Sequence, residues 1–478
     1  MKNIAIDAIK EKASTFTSLA DDIWGFAELS LQEFRSADKY CELLSELGFE
    51  VERGVADIET AFLGKFGSGR PIIGILGEFD ALTGLSQEAG ALSRKPISGQ
   101  NTGHGCGHHL LGAGALAAAY GIKEYLKERG KEGTVIFFGT PGEEGGAAKA
   151  FMAKQGIFYG IDAALTWHPS DVNEVSTGTC NSCIQTLYKF YGVASHAAGN
   201  PELGRSALDA VELMNVGVQY LREHTKDDAR IHYAIVDGGG LSPNVVQPTA
   251  SVLYMTRATM MADTVELQAR VDKIAEGAAI MTETRYEKIF VDGCSNTVSN
   301  HTLEALMYEK LLAHGAPSYT DEEIAYAAEL KKTFPEGSVP GCIAARFDAE
   351  AKEYFDEKSE GGTRPICDFI APIYKGDCFS AGSTDVGDVS WQTPTVQLYT
   401  ATYPAGSPGH SWQNVAFGKT SAAHKGMMLA AEVIADTAIA LFENPELLSA
   451  AREEFKRRTK SGYVCPIPDG EKAKIVEI

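Results

Sequence analysis

The densest run of chemically capable side chains is Gly103-His104-Gly105-Cys106-Gly107-His108-His109, just before a helical segment. Its glycines let the backbone turn tightly enough for a thiolate and an imidazole to converge. Cys106 and His108, two residues apart, can face one cation from such a turn. A second signal is Glu143-Glu144, directly after an apolar strand. Adjacent carboxylates cannot point the same way, so the pair offers two roles, one as metal ligand and one as general base beside an activated water.

His168 closes the strand Ala163–Trp167, and His410 lies in Ser407-Pro408-Gly409-His410-Ser411-Trp412. Either alone would ordinarily be a satisfied or solvated histidine, and position changes that reading. In an open α/β sheet, ligands gather outside the carboxyl ends of the strands. Glu78-Phe79-Asp80, Glu143-Glu144 and His168 all sit at or just beyond such ends. Carboxylates, imidazoles and one thiolate suit Zn²⁺, Mn²⁺ or Co²⁺, and five or more ligands exceed one tetrahedral site. Two divalent ions per subunit fit that count. Asp80 is better placed to orient a liganding imidazole than to bind metal itself.

The elements that must hold these residues read as α/β. Two amphipathic helices span about Ile4 to Leu47, by apolar spacing of three and four. Buried strands Pro71–Gly77, Thr134–Gly139 and Ala163–Trp167 then alternate with helices Leu110–Leu126 and Ala147–Gln155, which predicts a mostly parallel sheet covered on both faces. Near residue 184 the pattern changes. Strands Gln185–Tyr191, Arg230–Val236, Ala250–Arg257 and Thr284–Val291 interleave with helices Ser206–Glu223 and Thr264–Ala279. That βαββαβ order predicts a ferredoxin-like α+β insertion. The parallel pattern returns with strand Thr395–Thr400 and a long helix Val415–Phe442. The predicted division is therefore 1–183 and 299–478 for one metallohydrolase domain and 184–298 for an inserted dimerisation or lid domain. Residues 315–377 read as surface connections with one helix, Asp321–Thr333.

A chain of 478 residues with 44% hydrophobic and 22% charged residues has ordinary globular composition and room for two domains. The formal charge of −21 argues against a nucleic-acid partner and requires local cations to attract an anionic substrate. The start, Met1-Lys2-Asn3-Ile4, lacks a signal-peptide apolar run, and no segment reaches about 18 consecutive apolar residues, so a cytoplasmic, membrane-free protein is expected. Nine scattered cysteines predict no disulfide framework. Cys180 and Cys183 form a lone C-x-x-C without a second pair.

These motifs, with Trp167-His168-Pro169, Ser195-His196-Ala197-Ala198, Pro243-Asn244-Val245-Val246 before Arg257, Gly382-Ser383-Thr384-Asp385 and Gly409-His410-Ser411-Trp412, resemble the di-metal aminoacylase and carboxypeptidase family along nearly the whole chain. Within it, the resemblance is nearest to the branch acting on aminobenzoyl-glutamate. It implies Cys106, His108, Glu144, His168 and His410 as metal ligands and Glu143 as general base. It also implies that His196 donates to the oxyanion across a dimer, and that Asn244 and Arg257 hold the substrate. The residue after the second motif histidine is usually Asp or Asn in that family and is His109 here, expected like Asp80 to support the ligands rather than bind metal, which bears on how the metals are bridged. The implied activity is hydrolysis of the amide of an N-acyl or N-aroyl amino acid, with p-aminobenzoyl-glutamate as leading substrate. Alternatives are a broader dipeptidase or N-acyl-amino-acid hydrolase, and a non-catalytic partner subunit. The assembly is expected to be a homodimer or a heterodimer with a related chain.

Overall fold

The computed structural model describes residues 3–476; Met1 and Lys2, the first residues of the stretch read for targeting, lie outside them. A seven-stranded sheet organises most of the chain. From edge to edge its strands are Glu50–Arg53, Phe62–Ser68, Gly133–Gly139, Ile72–Gly77, Ala163–Ser170, Thr395–Ala401 and Glu174–Val175. The four central strands pair in parallel. The three outer pairings are antiparallel. The sheet is therefore mixed rather than mostly parallel. The central strands are mostly buried because helices cover both faces. The outer strand Glu50–Arg53 is exposed except at half-buried Val51, Phe62–Ser68 is buried only at Phe62 and Gly64, and both carry charge, so no continuous apolar run announces them.

Helix His108–Arg129 packs against the central strands, and its Leu110, Leu116 and Ile122 are fully buried. The N-terminal segment forms three helices, Ile4–Glu11, Ala13–Phe26 and Phe34–Glu46, where two were predicted. The predicted helix 415–442 is two, Trp412–Phe417 and Ser421–Glu443. The break falls before Thr420, whose side chain accepts from the Ala423 N–H and so starts the second helix. Residues 315–377 hold a second helix, Ala349–Lys358, beside Asp321–Lys331. It buries only Ala351 and Phe355, too few apolar positions to show a helical period. Among the described residues no helix is long and apolar enough to cross a membrane.

A separate four-stranded antiparallel sheet lies, in sequence, between strands of the large one. Its strands run Ser182–Tyr191, Arg230–Asp237, Thr249–Ala258 and Arg285–Cys294, in the spatial order second, third, first, fourth. Helices Ala207–Leu221 and Met261–Thr282 cover one face and close a core of its own, around Tyr188, Val211, Met214, Val252, Tyr254 and Val271. The edge strand Arg230–Asp237 exposes Tyr233 and Ile235, and helix Ala207–Leu221 exposes Leu213, Val216 and Tyr220.

Candidate metal centre

Three parallel strands deliver side chains to one place. Ile72–Gly77 runs directly into Glu78 and Asp80, Gly133–Gly139 leads to Glu143 and Glu144, and Ala163–Ser170 carries His168. Thr395–Ala401 leads on to the turn holding His410. Cys106 and His108 arrive from the other direction, at the start of helix His108–Arg129. Gly107, at φ +84, makes that entry: a Cβ there would lie 2.1 Å from Tyr403 Oη, so the turn admits only glycine. His410 also has a left-handed backbone, φ 49, which costs a non-glycine residue about 1–2 kcal/mol and is held by the capped turn around it.

Two groups of ligand atoms result, each with its atoms within 4.8 Å of one another: Cys106, His108 and His168, and Cys106, Glu144 and His410. Cys106 belongs to both. Its Sγ is 3.4 Å from His168 Nε2. The His168 Nδ1–H donates to the Pro169 carbonyl at 2.7 Å, which leaves Nε2 bare toward the thiol. His108 Nδ1–H donates to Asp80 Oδ1 at 2.8 Å, so its Nε2 also faces inward. Asp80 Oδ2 in turn accepts from the Glu144 N–H at 2.9 Å and from Ser30 Oγ at 2.8 Å. One carboxylate thus orients an imidazole and the neighbouring acidic turn together.

The buried atoms His108 Nε2 and Glu144 Oε1 have no hydrogen-bond partner. Each has a ligand-type neighbour, Glu78 Oε2 at 3.3 Å and His410 Nε2 at 3.4 Å respectively, close in distance but not aligned as a hydrogen bond. Ligands about 2.1 Å from a tetrahedral ion are about 3.4 Å from each other, so the spacings match the edges of coordination polyhedra. The donor set fits divalent cations.

A third group, Glu78, His108 and Glu143, also has ligand spacing. Here a resident cation is already present. Lys149 Nζ, fully buried, lies 2.7 Å from Glu78 Oε1 and 2.6 Å from Asp385 Oδ1. Lys149 did not stand out in the sequence, and Asp385 did so only as the end of the Gly382–Asp385 motif, without a role, though a lysine inside the apolar run Ala148–Lys154 must be paired to be buried.

The electrostatics follow the burial. Burial, with Glu78 and Glu144 beside it, holds the Glu143 carboxyl well above the usual carboxylate range. Burial and the neighbouring His108 pull His168 down to about 4. Burial also opposes charge on His108, but Cys106 and Asp80 outweigh it and raise its pKa well above the ordinary value. Glu143, Glu144, Cys106, His168 and His410 line a cavity of about 290 Å³ whose far wall is rich in hydroxyls, including Thr177, Thr297 and Ser383. Arg257 Nη1 donates to Ser383 Oγ at 2.7 Å, reaching the cavity rim from the four-stranded unit.

His196 and Asn244 are elsewhere. Both are exposed, the Ala197 N–H donates to the Asn244 carbonyl at 2.9 Å, and neither lines the cavity. His196 Nδ1 accepts from the N–H groups of Ala198 and Gly199, so its proton sits on Nε2, facing away from the turn. His109 departs from expectation. One residue on from His108, it points a hundred degrees round the helix, into the core, where Nε2 meets the Gly418 carbonyl at 3.0 Å and the ring lies 4.9 Å from His104. It orients none of the ligand-type side chains.

Fold and site together are those of a metallopeptidase-like hydrolase. Residues 74–476 match Peptidase family M20/M25/M40, and the chain belongs to that family. It is 44% identical over 466 residues to one of the subunits of the p-aminobenzoyl-glutamate hydrolase of Escherichia coli, covering 97% of this chain and 96% of the relative. The Xaa-Arg dipeptidase of Mus musculus is 26% identical, with 95% and 92% covered. In fold, the chain matches the aminobenzoyl-glutamate utilization protein of Klebsiella pneumoniae (TM-score 0.57, 17% identity, 91% of this chain and 97% of that one). It also matches a dinuclear metal-binding M20 peptidase of Bacillus subtilis (TM-score 0.53, 16% identity, 91% and 99%).

Proposed function

We propose that this chain is a two-metal amidohydrolase that cleaves p-aminobenzoyl-glutamate to p-aminobenzoate and glutamate. The observation that carries the reading is the pair of ligand groups sharing Cys106, each with a buried ligand atom left without a hydrogen-bond partner. The substrate rests on the relative of 44% identity, whose name states that hydrolysis. His108 and His168 would hold one ion, Glu144 and His410 the other, and Cys106 both. Mn²⁺, Zn²⁺ and Co²⁺ suit these donors.

Divalent ions bound there supply Lewis acidity to the scissile carbonyl and make a water acidic near neutral pH. The chain's own groups do the rest. Glu143, half-buried and biased toward protonation, takes a proton from the attacking water and returns it to the departing amine. Asp80 fixes the His108 ring so that its second nitrogen faces the ions. Arg257, anchored on Ser383 at the cavity rim, pairs with the carboxylate of the amino-acid half.

His196 and Asn244 complete the site from a neighbouring chain in this reading. Support comes from their exposure, their absence from the cavity lining, and the Nε2–H that His196 presents outward as an oxyanion donor. The apolar side chains on edge strand Arg230–Asp237 and helix Ala207–Leu221 supply a surface for that neighbour. The Escherichia coli relative is named as one subunit of its enzyme, which supports a related chain as well as a second copy for the role.

The test is metal analysis of the pure protein paired with hydrolysis assays on p-aminobenzoyl-glutamate and on dipeptides ending in arginine. Two ions per chain and preferential release of p-aminobenzoate are expected. Preference for the dipeptides would replace the substrate with that of the Xaa-Arg branch; no hydrolysis by the metal-loaded chain would leave it a partner subunit.

A further inference from the structure

The C-x-x-C motif is resolved by the fold into a different pair. Cys183 is directly paired with Cys294 across antiparallel strands, and their Sγ atoms are 3.3 Å apart. Residues opposite one another in such a ladder have Cα atoms about 4.5–5.5 Å apart, within the roughly 4.4–6.8 Å that a disulfide spans. Both are free thiols and both are buried. Cys180, by contrast, takes part in a short bridge with the loop at Ser380 and lines the metal-centre cavity.

The location gives the pair its meaning. Cys183 is the second residue of strand Ser182–Tyr191, and Cys294 is the last of strand Arg285–Cys294. The chain enters the four-stranded unit past the first and leaves it past the second. Any rotation of that unit relative to the large sheet must be absorbed by the residues flanking these two points. Arg257, paired with Cys183 on the other side, is the residue that crosses from the unit to Ser383.

We propose that Cys183 and Cys294 form a reversible disulfide that staples together, beside this hinge, the two strands by which the chain enters and leaves the unit. The oxidant is a small-molecule disulfide. The Cys183 thiolate attacks one of its sulfurs, expelling one thiolate and leaving a mixed disulfide on Cys183. The Cys294 thiolate then attacks the Cys183 sulfur and expels the second. Two protein thiols lose two protons and two electrons, and the oxidant is reduced to two thiols. The hydrogen bond from Cys294 draws the Cys183 thiol below its ordinary range, in keeping with its role as first nucleophile.

The test uses the metal-loaded full chain incubated with oxidised glutathione, alkylated, and digested without reduction. A peptide joining Cys183 to Cys294 is expected, together with a fall in turnover of at least about fivefold, the low end of coupling between separate sites, recovered with dithiothreitol. The double variant C183S/C294S, treated identically, should keep its turnover. That comparison separates the hinge from oxidation of Cys106, which both proteins retain. Full alkylation of both thiols, a Cys180–Cys183 link, or equal inactivation of the double variant would overturn the proposal. The peptide map needs only the unaltered chain, so it stands whether or not the variant folds. It is also independent of the proposed substrate, on which the turnover readout alone rests.

Discussion

Lys149 and Asp385 meet twice: the ammonium donates to Oδ1 at 2.6 Å, and the Lys149 backbone N–H donates to Oδ2 at 3.0 Å. The same ammonium is 2.7 Å from Glu78. This buried cation ties the helix following Glu143-Glu144 to the loop that carries Ser383, and so ties that acidic turn to the cavity rim that Arg257 reaches. It also occupies the third group of ligand-type residues, which is why two ions rather than three are proposed.

Removing that cation leaves buried carboxylates unpaired, and breaking such a pair costs about 3–5 kcal/mol. Lys149→Met should therefore lower the free energy of unfolding by roughly 3 kcal/mol, read from urea denaturation. A loss under about 0.5 kcal/mol, the scale of an unremarkable surface substitution, would mean that Glu78 and Asp385 are satisfied without it.

Glu143→Gln keeps the shape of the side chain and removes its basicity. Turnover should fall by roughly 10²-fold or more, while metal content stays at the parent level because Glu143 is assigned no ligand role. Normal turnover in this variant removes Glu143 from the chemistry.

Chelation should abolish hydrolysis, and Mn²⁺, Zn²⁺ or Co²⁺ should restore it. Because Cys106 belongs to both ligand groups and His410 to one, their substitutions should differ in stoichiometry. Cys106→Ala should weaken retention of both ions, and His410→Ala that of one. Equal metal content in the two variants, measured by elemental analysis, contradicts the sharing of Cys106.

His314 lies between Glu432 at 3.3 Å and Asp436 at 2.8 Å, clamping helix His301–His314 to helix Ser421–Glu443. Burial opposes its charge, but hydrogen bonds to Asp436 and Glu432 prevail and raise its pKa to about 9. A folded pKa above the unfolded value of about 6.5 gives stability that is complete below pH ~6.5 and disappears as pH rises through ~9. Allowing for partial exposure, the contribution is about 1–2 kcal/mol. His314→Asn should thus be less stable than the parent at pH 6 and nearly equal to it at pH 10. A stability gap that does not change with pH would show that the histidine acts by packing.

His196→Ala and Glu143→Gln are each expected to be inactive, but in different places. If His196 acts in trans within a homodimer, random subunit exchange should restore at most about a quarter of the sites, since half the dimers are mixed and each has one intact site. Recovery near that level, measured as hydrolysis after proven exchange, establishes the shared site. None would place His196 in its own chain's site or outside catalysis.

Much of this centre was legible in one dimension because its residues are local. Gly103–His109 runs from a strand end into a helix start within seven residues, Glu143-Glu144 lies just beyond the strand Gly133–Gly139, and a strand's apolar run shows where its carboxyl end lies. Chain order likewise announced the βαββαβ unit, since its helices and strands alternate with clear periods. What stayed hidden depends on distant partners. Lys149, Glu78 and Asp385 become one network only when a helix, a strand end and a loop from three regions of sequence converge. His109 looked like part of the metal motif, and only the helical rotation after His108 turned it toward Gly418. The C-x-x-C sets Cys180 beside Cys183 in sequence, yet strand register places Cys294, more than a hundred residues away, against the Cys183 sulfur. Residue types and local spacing determined which chemistry the chain carries; sheet register and helix packing decided which of those groups meet, because contacts between distant segments have no signature in sequence until the chain is folded.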